Sequence, residues 1–223
     1  MAPPHPKPYA SASQVPILVL LAGLMVLAPL FNGGLDPLPT LLLQGLALLI
    51  IGLTLWRTER PTLGYGEILL LGALLVLPLL YLIPWPAELH ALLPGRAVYA
   101  QALASVDPAT ATGARPLSLH PYATESAWLM TLIPIGTFLG MRTLTERQAE
   151  QLTYLLLAVA TLQVLIGLFQ FATASTGVDY TLAEWAPRGG AASGTYRNRN
   201  HLAGLLEMVF PLALALFLFS WDR

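Results

Sequence analysis

The sequence predicts an all-α fold, a polytopic bundle of about six transmembrane helices, and two observations carry that prediction. Apolar residues make up 56% of the 223-residue chain, charged residues only 10%, and the mean hydropathy is +0.65, whereas soluble domains are about a quarter charged. So little charge cannot coat a water-facing surface. Apolar runs also recur at spanning length between polar stretches, and about 20 residues at a 1.5 Å rise cross the hydrocarbon core of a bilayer.

In chain order, residues 1–14 are rich in proline and small residues and are expected to form a disordered tail. A cleaved signal peptide would carry its small-residue motif after the apolar run. Here Ala10-Ser11-Ala12 precedes the run, so the first helix is expected to be retained. The first run, Val15 to Phe31, and the third, Glu67 to Ile83, are short and contain Pro29 and Pro78, which predict a kink or tilt. The second, Leu38 to Trp56, completes three spans within residues 15–83.

The fourth run is Ala123 to Met141, with Thr124 placed to cap it and Glu125 in its first turn. Its Gly136 and Gly140 make a GxxxG pair suited to close helix packing within the bundle. The fifth, Leu152 to Ala172, closes the pair of spans in residues 123–172, and the sixth, His201 to Trp221, occupies residues 201–223.

Lysine and arginine in short loops set the orientation. With alternating helices, Lys7, Arg57, Arg60, Arg142, Arg147 and Arg223 fall on one side, and the short loop Asn32 to Pro37 on the other has none. Both termini are therefore expected in the cytoplasm, with residues 84–122 and 173–200 outside. In the first outer loop, Trp85 to Leu93 mixes apolar and polar residues and is expected to lie on the membrane surface, while Asp107 to Arg115 reads as flexible.

Other classes are excluded. A net charge of -1 offers no basic reservoir for counterion release, so no nucleic acid is expected as a partner. Without cysteine there is no disulfide and no thiol nucleophile, and no histidine or carboxylate stands beside His201 at ligand spacing, so neither a metal nor a cofactor is expected.

The chemistry concentrates just before the sixth run, in Arg197-Asn198-Arg199-Asn200-His201. Two guanidiniums there can grip phosphate oxygens in bidentate fashion, the amides of Asn198 and Asn200 can donate beside them, and the free N–H groups of a helix start favour an anion. A lipid phosphate or diphosphate fits that set, although arginines at a membrane edge also snorkel to headgroups.

On a helical wheel Asn200, Ala203, Gly204, Glu207 and Pro211 share one face of the sixth helix, which is therefore expected to point into the bundle. Glu207 would cost roughly 2.5 to 3.5 kcal/mol facing lipid at the bilayer centre, which marks it as a functional suspect. Gln163 and Gln170 lie on one face of the fifth helix and are expected either to meet that polar face or to join helices.

The run Ser193 to Gly204, continuing through an apolar helix to Phe210-Pro211-Leu212, resembles the segment GTF-x-N-x-N-H-x-A-G and the following Pro-Leu helix of the O-antigen ligase and O-antigen polymerase family. Tyr196 stands where that family carries an aromatic. Pro116-Leu117-Ser118, with Pro121 and Thr124, also resembles a stretch of that family ahead of its fourth or fifth helix.

The resemblance implies a bacterial inner-membrane glycosyltransferase, independent of metal, that moves a glycan from undecaprenyl diphosphate to an acceptor hydroxyl in surface polysaccharide or lipopolysaccharide assembly. It places Arg197, Arg199, Asn198, Asn200 and His201 near the donor diphosphate. Family members have ten to twelve helices and a later outer loop with further catalytic residues. The chain is accordingly expected to match the amino-terminal half only, with a partner chain or a longer gene product supplying the rest and the catalytic residues unknown. The rival class is a non-catalytic transporter or assembly subunit whose polar face, with Glu207, Gln163 and Gln170, lines a path for lipid or ions.

Overall fold

Each of the six apolar runs is a helix. The computed structural model describes residues 14–30, 36–56, 62–106, 113–174 and 192–221. Among them the order is α1 (Val15–Leu27), α2 (Pro37–Trp56), α3 (Tyr65–Leu82), β1 (Pro84–Trp85), α4 (Ala87–Ala91), α5 (Arg96–Val106), β2 (Arg115–Pro116), α6 (Pro121–Met141), α7 (Glu146–Ala174) and α8 (Arg199–Trp221). The amino-terminal tail, Lys7, Arg57, Arg60, Arg223 and most of the loop between α7 and α8 lie outside the described residues.

Four helices, α2, α3, α7 and α8, are long and apolar enough to cross a membrane, the mark of a membrane protein. The other two fall short of that measure. α1 has 13 residues, about 20 Å of rise, and the first turns of α6 carry Thr124, Glu125 and Ser126.

Helix ends follow local chemistry that hydropathy does not report. α1 stops at Leu27, short of the expected Phe31: Ala28 still has helical backbone (φ -57°, ψ -45°) and donates to the Leu24 carbonyl, but Pro29 has no N–H with which to continue the ladder. α7 starts at Glu146 rather than Leu152 through a capping box: the Thr145 N–H donates to Gln148 Oε1 at 3.0 Å and the Gln148 N–H to Thr145 Oγ1 at 3.3 Å. α6 starts two residues early, with Pro121 in its first position. Thr124 is thus inside the helix, not its cap; its hydroxyl pairs with Ser118 Oγ at 2.6 Å, and Ser118 Oγ accepts the His120 N–H.

The chain divides into two units, Met1–Pro61 with Ile133–Arg223, and Thr62–Leu132. In the first, α1 packs on α2 and α7, and α7 packs on α8. Ile17, Leu21 and Leu24 of α1 meet Leu43 and Ile50 of α2 and Leu152 of α7 in one buried cluster. Lipid is as apolar as these side chains, so close fit rather than apolarity decides which faces meet. Gly136 supplies that fit: a Cβ there would lie 2.9 Å from the Ala47 carbonyl oxygen, and one on Gly140 would lie 2.7 Å from Ile50 Cγ2. The glycine pair is a packing site within the bundle, as its spacing predicts. At the end of this unit where α1 begins, Gln14 Nε2 donates to the Thr143 carbonyl in the α6–α7 turn, beside Arg142 and Arg147.

In the second unit the loop after α3 is folded back on itself. β1 and β2 pair antiparallel, Pro84 opposite Pro116 and Trp85 opposite Arg115. The Ser118 N–H donates to the Tyr81 carbonyl at 2.9 Å, and the Arg96 guanidinium reaches the Leu117 carbonyl. Trp128 of α6 donates its indole N–H to the Leu75 carbonyl of α3 at 2.9 Å. That carbonyl is one residue beyond the one that Pro78 leaves without its helical donor. Trp128→Phe keeps the ring and removes the donor. It is expected to cost about 1 kcal/mol, read as a melting temperature lower by about 3 °C in detergent.

Candidate functional site

The carboxyl ends of α1 and α7 and the amino end of α8 meet at one end of the first unit, and the connection Ser193-Gly194-Thr195 is strung between them. Ser193 is fully buried and Gly194 is buried, so this irregular backbone must find partners inside the protein. Two glutamines of α7 provide them. Gln170 Oε1 accepts the N–H groups of Ser193 and Gly194, each at 3.0 Å, and its Nε2 donates to the Gly194 carbonyl at 2.7 Å. Gln163 Oε1 accepts the Thr195 N–H at 2.8 Å, and its Nε2 donates to Thr195 Oγ1 at 2.8 Å. The Thr195 hydroxyl in turn donates to the Pro29 carbonyl just past α1.

The two glutamines lie seven positions apart, about 10 Å along the helix, which the strung backbone covers. Gly194 makes the path possible. Its φ is +62°, and a Cβ on it would lie 2.4 Å from Gln163 Oε1. Gly167, between the glutamines, leaves room for Ala192 and Leu202, which a Cβ would meet at 3.3 Å each.

Beyond Thr195 the chain turns and starts α8. The Tyr196 N–H donates to the Ser193 carbonyl at 3.2 Å. The Tyr196 ring packs on the cluster of Ala160, Leu205 and Val209, and burial pushes its phenol up from its ordinary range, so it stays neutral. His201 stands edge-on to Tyr196, with ring centroids 6.1 Å apart.

Arg197, Asn198, Arg199, Asn200 and His201 are all exposed, and the turn brings the two arginines to either side of Asn198. Asn198 is the helix cap: its Oδ1 accepts the Asn200 N–H at 2.9 Å, and its carbonyl accepts the His201 N–H at 3.0 Å. Two of the expected free N–H groups are thereby used internally. Arg197 and Arg199 remain exposed around this cap, as does Asn200.

The sixth-helix face is reversed from the expectation. Leu202, Leu205 and Val209 are the buried side of α8, whereas Ala203, Glu207 and Pro211 are exposed, and a Cβ on Gly204 would meet nothing within 4 Å. The wheel groups these residues correctly, but branched and long side chains offer α7 the larger contact surface. The glutamines therefore meet the 193–195 connection and not the Glu207 face.

No protein-family model, curated protein or solved structure matches the chain. Function is read from the residues and their geometry. The sequence singles out the arginines, both glutamines and the run Ser193 to Gly204 that holds Gly194 and Thr195, but it does not single out Gly167 or the pairing of the glutamines with residues 193–195. The spacing Gln163-x3-Gly167-x2-Gln170, one face of a helix, is the signal that would have found the clamp.

Proposed function

We propose that this chain is an O-antigen ligase-like protein of a bacterial inner membrane, with six spans and both termini in the cytoplasm, that binds the diphosphate of an undecaprenyl-diphosphate-linked glycan through Arg197 and Arg199. The observation that carries this reading is the exposed Arg197-Asn198-Arg199 turn, set on a connection anchored by seven residues' length of α7. It is joined to the sequence resemblance over Ser193 to Gly204. Arg142 and Arg147, beside the α6–α7 turn at the opposite end of the unit, fit a cytoplasmic end by the positive-inside rule.

In the transfer itself, an acceptor hydroxyl oxygen bonds the anomeric carbon of the glycan as the bond from that carbon to the diphosphate oxygen breaks. The leaving diphosphate gains negative charge. Two guanidiniums carried on the turn would stabilise that charge electrostatically. The group that takes the acceptor proton is not assigned to any of these residues, and a partner chain or a further part of a longer gene product would supply it. The rival reading, a non-catalytic transporter or assembly subunit, draws on the outward Glu207 face of α8; it predicts lipid binding with no transfer in any combination of chains.

The test is binding of undecaprenyl diphosphate to the protein in nanodiscs. Charge-assisted hydrogen bonds are worth about 1.5 to 3 kcal/mol each, so Arg197→Ala with Arg199→Ala is expected to weaken binding by about a hundredfold or more with melting unchanged. Equal affinity for the double variant and the wild type would remove these arginines from the site.

A further inference from the structure

We propose that Gln163 and Gln170 are positioning residues for the diphosphate-binding turn, holding Ser193-Gly194-Thr195 so that Arg197 and Arg199 are presented in one fixed geometry; this rests on the reading of those arginines as the diphosphate ligands.

Glutamines that merely join helices bond from one helix to another. Here the two amides spend their bonds on three consecutive residues of non-helical backbone, Ser193, Gly194 and Thr195. Both ends of each amide are used, oxygen as acceptor and nitrogen as donor. The connection is thus fixed in direction as well as in place. Thr195 carries the restraint to a third element, since its hydroxyl accepts from Gln163 and donates to the Pro29 carbonyl.

Only Tyr196 separates Thr195 from Arg197, and Tyr196 is itself seated on Ala160, Leu205 and Val209. On the other side of Arg197, Asn198 is fixed as the cap of α8. The backbone at Arg197 is therefore pinned from both directions, by α7 through Gln163 and by α8 through Asn198. A guanidinium on a pinned backbone loses less freedom when it engages an anion, and preorganisation of this kind appears as affinity.

The seating also fixes which residues cannot change. Gly194 admits no side chain beside Gln163 Oε1, and a Cβ on Gly167 would press on Ala192 and Leu202 at 3.3 Å each. A flexible tether to a headgroup-seeking arginine would need neither restriction.

The experiment titrates the 223-residue chain in nanodiscs with undecaprenyl diphosphate and, separately, with undecaprenol, which has the same tail and no phosphate. Gln163→Leu and Thr195→Val are each expected to weaken diphosphate binding by about tenfold and to leave undecaprenol binding as in the wild type. Thr195→Ser, which keeps the hydroxyl, is expected to restore diphosphate affinity to within about twofold of wild type. A purely structural role would lower binding of both lipids together, in step with melting. Wild-type diphosphate affinity in Gln163→Leu and Thr195→Val, with loss in the Arg197→Ala, Arg199→Ala variant, would overturn the positioning role and leave the ligand reading standing. Undiminished affinity in the arginine variant would instead overturn the ligand reading, and this proposal with it. Should Gln163→Leu fail to accumulate, the Thr195→Val and Thr195→Ser pair decides alone: an equal loss in both overturns the proposal.

Discussion

Gly194→Val is expected to lower the melting temperature of the detergent-solubilised protein by about 10 °C, the largest effect of any single change outside the helices. Two penalties add. A β-branched residue at φ +62° costs at least the 1–2 kcal/mol or so of an ordinary residue in left-handed backbone. Its Cβ would also stand 2.4 Å from Gln163 Oε1, so the amide must swing away from the Thr195 N–H that it accepts. A buried donor left without a partner costs about 1–3 kcal/mol more. Differential scanning of wild type against Gly194→Val checks this, and a shift below about 2 °C would mean that the connection is not clamped as described.

Gly136→Leu is expected to have an effect of similar size by a different route. Helix propensity favours the change by up to about 1 kcal/mol. Packing opposes it, and packing wins, because the atom a Cβ would meet is a backbone oxygen of Ala47 at 2.9 Å, which no rotamer change can move. α2 and α6 would have to part, at about 3 kcal/mol or more. Gly45→Leu and Gly72→Leu are the matched controls, since nothing lies within 4 Å of either Cβ position; both are expected to melt within about 2 °C of wild type. Equal destabilisation at all three positions would show that propensity or insertion, not the α2–α6 contact, sets the response.

The contrast between Gly136 and Gly45 shows what the sequence makes legible. All six helices could be placed from apolar runs, because spanning length and exclusion of charge act on each segment by itself. The GxxxG spacing of Gly136 and Gly140 also foretold a close contact. Ends were less legible: Thr145 with Gln148 extends α7, and Pro121 starts α6, through local hydrogen bonds and backbone limits to which hydropathy is blind.

The α8 face was misread for a reason particular to membranes. In water the polar face of a helix turns out and the apolar face in, so the wheel gives the packed side. In lipid both choices bring apolar surface to apolar surface, and the inference that Glu207 turns inward rests on the cost of exposing it to lipid, a cost that any covering helix removes. The structure packs Leu202, Leu205 and Val209 on α7 instead. At the site, Arg197 and Arg199 stood out as charges beside an apolar run. Their support did not, because the amides of Gln163 and Gln170 reach a segment 23 to 32 residues away along the chain, and no local pattern announces that pairing beyond the helical spacing of the two glutamines with Gly167.

The central claim is that the turn at Arg197 to His201 contacts the diphosphate of a polyprenyl lipid. The most direct measurement is photocrosslinking with an undecaprenyl diphosphate analogue carrying a photoreactive group beside the diphosphate, followed by peptide mapping. The account predicts labelling within residues 193–204, competed away by undecaprenyl diphosphate but not by undecaprenol, and lost in the Arg197→Ala, Arg199→Ala variant. Labelling confined to other segments, or competed equally by undecaprenol, would contradict it.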